Sequence, residues 1–177
     1  MIKQKSTSRT IMLGDINTEN SNEVIRFILA VNEEDKNKPK NKRVPIQLII
    51  NSTGGEVYEG LGIIDAIDYS ITPVYTVGFG SVMSMALVVF AAGKHRTCGK
   101  FTTFMYHETS YISEGKIIQY KQEIKEAERI DLIGDQYLLS KTELTQQVLD
   151  DARKFQRDWY FDAVTAYEYG IVHKILK

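Results

Sequence analysis

Cysteine is almost missing from this chain: Cys98 is the only one in 177 residues. An intrachain disulfide framework is therefore excluded, as is any metal site built from several thiolates. A lone apolar-flanked cysteine reads as a small buried side chain before it reads as a reactive thiol. Charge of one sign is also missing, since 22 basic and 23 acidic residues leave a net charge of −1. That balance supplies no field to steer the chain onto nucleic acid or an anionic membrane, and no aromatic–basic interleaving compensates for it. Long apolar runs are absent too. The longest, Met85 to Ala92, falls far short of the roughly 20 residues a membrane-spanning helix needs. The polar, basic start "MIKQKSTSRT" resembles neither a secretory signal nor an anchor. There is no internal repeat and no G-x-x-x-x-G-K-[ST] phosphate loop, so no nucleotide cofactor is expected. A soluble cytoplasmic chain is the reading these absences leave.

What is present is a core-forming composition, 43% hydrophobic and 25% charged, at a length suited to one domain spanning residues 1–177. Short β-like runs alternate with helical patterns. "IMLG" at 11–14 precedes a segment in which Val24, Ile25, Ile28, Leu29 and Val31 share one helical face, with caps offered by Thr18 to Ser21. The basic, proline-containing stretch Lys36 to Arg43 reads as a solvated loop rather than an anion-binding patch. A strand signal at Val44–Asn51 and the break "STGG" lead into a helix over Glu56–Ser70 whose inner face is Val57, Leu61, Ile64 and Ile67. Thr72–Gly80 predicts another strand, and the run to Gly93 predicts a helix apolar nearly all round, hence central. Further β-like runs fall at Arg96–Cys98 and Phe101–His107. This alternation predicts a largely parallel sheet covered by helices. From Glu114 to about Leu139 an apolar stripe from Ile117 to Tyr137 recurs every three or four residues. A helix of about 25 residues would be roughly 37 Å long, so it either kinks at Gly134 or projects and needs a partner.

Chemistry converges on Ser84. If "NSTGG" and the segment before Ser84 both lie at carboxyl ends of parallel strands, they meet at the edge where open α/β folds place their sites. Gly54 and Gly55 would let a backbone N–H face a ligand, and the Met85 amide would point the same way, giving the two donors of an oxyanion hole. A serine needs a base. Of the three histidines, His107 ends a strand and can reach that edge, whereas His95 and His173 read as surface residues. On spacing alone, a catalytic and a structural His107 both stand. "MSM" lacks the G-x-S-x-G of the hydrolase elbow, and the order Ser, His, acid matches none of the three familiar triads.

Several blocks, in order, settle a resemblance: "LGDINTENSNEVIRFILAVN", "LIINSTGGEVYEGLGIIDAI", "GSVMSMALVVFAAGKHR", "FMYHETS" and "RDWYFDAVTAYEYGIVHKIL". Together they resemble the proteolytic subunit of the Clp protease family over nearly the whole chain, from about Arg9 to Leu176. The resemblance implies the ClpP/crotonase-like fold, an α/β spiral of β-β-α units with a projecting handle helix, here within approximately 108–142. It implies a serine endopeptidase with Ser84 as nucleophile, His107 as general base and Asp158 as the acid that orients it. The Gly55 and Met85 amides match the oxyanion hole, with Gly54 beside it. It further implies stacked heptameric rings around a closed chamber, peptides or unfolded proteins as substrates, and an unfolding ATPase partner that alone would use ATP.

The chain also departs from that pattern. About ten residues precede Ile11 where the family carries a longer segment that contacts the ATPase, so the match is to a divergent member with a shortened N-terminus. Thr53 stands for a proline, and Met83 and Ala86 for alanine and glycine beside the nucleophile. "ETSYISEGK" comes after His107 where the family has Q-P and a glycine-rich turn, so the substrate-pairing strand and the start of the handle are expected to differ. Gln156 and Trp159 alter the flanks of the "RD" pair, which bears on contact between rings. Two other readings are a catalytically silent structural subunit and a crotonase-like acyl-CoA enzyme. The complete set of Ser84, His107 and Asp158 argues against both.

Overall fold

The computed structural model describes residues 9–109, 116–155 and 158–177. Within them the chain runs β1 (Thr10–Leu13), α1 (Thr18–Asp35), β2 (Ile46–Ser52), α2 (Val57–Tyr69), β3 (Val74–Met83), α3 (Met85–Ala91), β4 (His95–Gly99) and β5 (Thr103–His107). It then continues through α4 (Ile117–Lys141), α5 (Gln146–Phe155), β6 (Asp158–Phe161), α6 (Ala163–Glu168) and β7 (Lys174–Leu176).

The result is a mixed α/β architecture on a seven-stranded, parallel-dominated sheet, in keeping with the Clp-type expectation. Strands lie in the order β1-β2-β3-β4-β7, all parallel. β3 is long enough to serve two neighbours: Tyr75–Gly78 pair with β4, and Ser81–Met83 pair with β5. The handover is made by a register shift, in which Ile50 faces Gly78 but Ser52 faces Val82. Gly80 takes a φ of 64° there, and the Asn51 carboxamide oxygen accepts from the Ser81 amide and hydroxyl, both at 3.1 Å. Such a bulge bends a strand and re-aims its downstream residues. Here it directs β3 towards Ser84. β6 then pairs antiparallel with β5 and sets Asp158 opposite His107.

Burial alternates along the strands with a period of two. Ile11, Leu13, Ile46, Leu48, Ile50, Val74 and Thr76 point into the core. The opposite face is less covered, with Met12 66% and Phe79 42% exposed. On β1 to β3 the cover is thus heavier on the face that carries Leu13, Leu48 and Val74.

α1 is capped by Asn17, whose side chain accepts from the Asn20 amide at 2.9 Å, one residue before the predicted caps. It buries Val24, Ile28 and Val31, while Leu29 is exposed. α2 buries Ile63, Ile64, Ala66 and Ile67, and its Val57 and Leu61 are half-buried against the core. α3 is fully buried at all seven positions, as its all-round apolar pattern requires. It is shorter than the predicted helix because β3 extends as far as Met83. Lys36–Lys42 are exposed, with one 3-10 turn over Lys40–Lys42.

α4 continues through Gly134 without interruption. Its carboxyl half packs on the body, burying Ile130 and Leu138, whereas Ile117, Ile118 and Ile124 are exposed. α6 and α4 are tied to the sheet by Arg96, only 6% exposed. Its guanidinium donates to the carbonyls of Ala91, Gly93, Lys141, Gly170 and Ile171. Those carbonyls lie at the carboxyl ends of three helices, where unpaired acceptors accumulate and a cation is favoured.

Candidate active site

Ser84 is the residue between the end of β3 and the start of α3, and its backbone is unusual: φ 53° and ψ −130°. Among the described residues it is the one non-glycine position with positive φ. Such a conformation costs on the order of 1–3 kcal/mol and survives only where neighbours impose it. Two bonds do so. The Ser84 amide donates to the Met105 carbonyl on β5 at 2.9 Å, and the Leu87 amide donates to the Ser84 carbonyl at 2.9 Å. The sharp turn lifts the hydroxyl off the sheet edge although no G-x-S-x-G motif is present.

The hydroxyl meets His107 at the last position of β5, with Ser84 Oγ and His107 Nε2 2.7 Å apart. On the far side of the ring, His107 Nδ1 lies 3.4 Å from Asp158 Oδ1. The His107 side chain is 22% exposed and that of Asp158 54%. The three residues named from the sequence therefore fall in one line, serine to imidazole to carboxylate, the last link long and partly open to solvent. His95 and His173 are exposed and stack on each other, ring centroids 5.4 Å apart, away from Ser84. Partial desolvation of the ring, then the Arg96 charge and His95, lower the pKa of His173 below the ordinary histidine value.

The glycine pair has divided roles. Gly54 (φ 109°) is buried against the nucleophile: a Cβ there would stand 2.7 Å from Ser84 Cβ and 3.0 Å from the Met83 carbonyl oxygen. Its amide donates to Ser52 Oγ at 3.0 Å, so Gly54 contributes close approach and not a donor. Gly55 (φ 139°) is exposed and bridges to Ile16 on the segment after β1. Gly55, Ser84, Met85 and His107 all line one cavity of about 90 Å³.

Tyr106, Thr109, Asp131 and Asp135 line the same cavity and belong to a charged cluster that the sequence pattern did not single out. Arg153 of α5 reaches Asp135 Oδ2 at 2.6 Å and Asp131 Oδ2 at 2.5 Å on α4, and its Nε is 3.4 Å from Glu108 Oε1. Tyr106 donates to Asp135 Oδ1 at 2.7 Å, and the Thr109 amide and hydroxyl donate to Asp131 Oδ1. Burial and then the Asp135 carboxylate push the Tyr106 phenol well above its ordinary range. Burial opposes the Arg153 charge, but Asp135 outweighs it and raises the pKa of Arg153. The i, i+4 spacing of Asp131 and Asp135 is the signal available in sequence, but nothing local names their partner. The altered segment after His107 lies mostly outside the described residues, at 110–115, and so does Gln156. Among the described residues no group of His, Cys, Asp or Glu is arranged to hold a metal ion, and no helix is long and apolar enough to cross a membrane. Cys98 is buried, and burial pushes its thiol up to about 11.

A parallel-dominated sheet with a strained serine at the end of β3, facing a histidine on β5 and a carboxylate on β6, is the geometry of the candidate site in this α/β protein. Comparison with known proteins narrows the class: the Clp protease family profile matches residues 1–177. The chain belongs to the Clp protease family, a family of peptidases. It is similar to the ATP-dependent Clp protease proteolytic subunit 2 of Treponema denticola, 29% identical over 100% of this chain and 86% of that protein. It is also similar to the ATP-dependent Clp protease proteolytic subunit of Pleurastrum terricola, 32% identical over 92% and 80%. The Deinococcus radiodurans subunit of the same name is 29% identical over 95% and 80%.

Proposed function

We propose that residues 1–177 form one Clp-type peptidase domain that hydrolyses peptide bonds by acyl transfer through Ser84, His107 and Asp158. The single observation that carries this reading is the 2.7 Å contact between Ser84 Oγ and His107 Nε2, made by a serine held at positive φ. With Nδ1–H directed at Asp158, Nε2 is free to take the hydroxyl proton as Oγ attacks the peptide carbonyl carbon. The imidazolium, stabilised by Asp158, returns that proton to the departing amine. Water then enters, gives its proton to His107 and cleaves the Ser84 ester, which restores the free hydroxyl. The Gly55 and Met85 amides are the proposed donors to the oxyanion, because both residues line the cavity at Ser84. No cofactor is needed for this chemistry.

The working form is a homo-oligomer of stacked heptameric rings in the cytoplasm, acting on peptides and unfolded proteins, with an unfolding ATPase as partner. The apolar side chains left open support self-association: Met12 and Phe79 on the sheet face, and Ile117, Ile118 and Ile124 on the free half of α4. The handle spans approximately residues 108–142.

Intact-mass analysis after exposure to a fluorophosphonate serine probe tests the reading. One label per subunit is expected, absent in Ser84→Ala, with the variant assembling as the parent does and cleaving no peptide. An unlabelled parent, or a Ser84→Ala variant that still turns over, would sink the assignment.

A further inference from the structure

α4 keeps a glycine in its carboxyl half that nothing in the described fold demands. Gly134 is not among the described glycines with positive φ, so the backbone does not need it. Packing does not need it either: a Cβ there would find only Val88 Cγ2, at 4.0 Å. The contrast with Gly60 is sharp, where a Cβ would stand 2.4 Å from Met85 Cγ. Glycine is the poorest helix former after proline, yet α4 passes through position 134 unbroken, so the residue does not end the helix.

Gly134 does line the cavity at Ser84. Ile130, Gly134 and Leu138 succeed one another at i, i+4 and i+8 and present one face of α4 to it, opposite Leu61 of α2 and Val88 of α3. Asp131 and Asp135 line the cavity as well, but both carboxylates are engaged by Arg153. The shape of the apolar walls is then left to discriminate among substrates.

We infer that Gly134 is a specificity-determining residue: its missing side chain is the space that admits a large side chain on the substrate residue whose carbonyl Ser84 attacks. This rests on the peptidase reading above. A Cβ at 134 would enter the volume that the substrate side chain fills, and it has neither Ser84 nor His107 within 4 Å.

The test compares two fluorogenic peptides identical except for alanine or phenylalanine at the acyl residue, with the parent, Gly134→Ala and Gly134→Leu. The ratio of kcat/KM for phenylalanine over alanine should fall a few-fold in Gly134→Ala and on the order of 10-fold or more in Gly134→Leu. Probe labelling of Ser84 and cleavage of the alanine peptide should persist. An unchanged ratio, or an equal loss on both peptides, overturns the inference while leaving the labelled serine and the peptidase reading in place. A parent that is not labelled at all overturns both. Should Gly134→Leu fail to fold, Gly134→Ala decides alone, since alanine is the better helix former and meets no clash.

Discussion

Replacing Gly55 by alanine probes the fold and the proposed chemistry at one atom. The new Cβ would lie 2.1 Å from the Ile16 carbonyl oxygen and 2.9 Å from its carbon, at a backbone φ of 139°. The conflict is with backbone, so no side chain can swing away. Two hydrogen bonds hold that junction, Ile16 N–H to the Gly54 carbonyl at 2.8 Å and Glu56 N–H to the Ile16 carbonyl at 2.9 Å. Losing both costs about 1 kcal/mol each, and an L residue forced to such a φ costs about 1–3 kcal/mol more. The sum, about 3–5 kcal/mol, corresponds to a fall in Tm of roughly 6–20 °C for a chain of this size. If the Gly55 amide is an oxyanion donor, its displacement should also lower kcat by about 10²–10³-fold, with KM moving far less. Differential scanning fluorimetry and steady-state hydrolysis of a fluorogenic peptide, both below the variant's melting range, give the two numbers. A variant that melts within about 2 °C of the parent would refute the steric argument. One that melts low but keeps kcat within about threefold would refute the oxyanion role.

Gly62 is the counter-case, because a Cβ there meets only Ile25 Cδ1 at 3.5 Å; Gly62→Ala in α2 should stabilise by about 0.5–1 kcal/mol in a urea melt without touching turnover. Asp35 is fully buried, which alone would raise its carboxyl, but Arg9 at 2.7 Å, Lys38 at 2.7 Å and Thr72 at 2.8 Å outweigh burial and hold it well below the usual carboxylate range. Its contribution is therefore complete above about pH 4 and drains as pH falls towards the depressed value, so Asp35→Asn should flatten the acid side of a stability-against-pH curve and cost about 3 kcal/mol near neutrality. Arg153→Met leaves Asp135, almost fully buried, with the Tyr106 hydroxyl as its one remaining partner named among the described residues; a loss of about 3 kcal/mol in denaturant midpoint experiments is expected, and parental stability would show that water replaces the guanidinium.

Patterns of short range were legible. Val24, Ile28 and Val31, repeating at helical spacing, face the core as expected, and the all-apolar Met85–Ala91 segment is buried throughout. Ser84 and His107 could be shortlisted because a polar residue at the end of a strand in a parallel sheet has one edge to occupy. Asp158 could be named only through the family resemblance, since 23 acidic residues compete and its partner is 51 positions away along the chain. Periodicity puts Leu29 on the buried face, yet it is exposed, because a periodic stripe does not state how wide the contact with the sheet will be. The continuity of α4 through Gly134 likewise depends on the body against which its carboxyl half packs, which helix propensity does not contain.

Composition and periodicity by themselves determined the alternation of strands and helices and the central place of α3, and they shortlisted a serine and a histidine for one sheet edge. These come from local rules: spacing of apolar side chains, glycine where the backbone turns, and too few cysteines for a disulfide frame. Tertiary structure alone decided the bulge at Gly80 that re-aims β3, the positive φ at Ser84, the β5–β6 pairing that brings Asp158 to His107, and the capture of Asp131 and Asp135 by Arg153. Each of these couples segments far apart in the chain, and the free energy that selects it exists only once the segments are packed together.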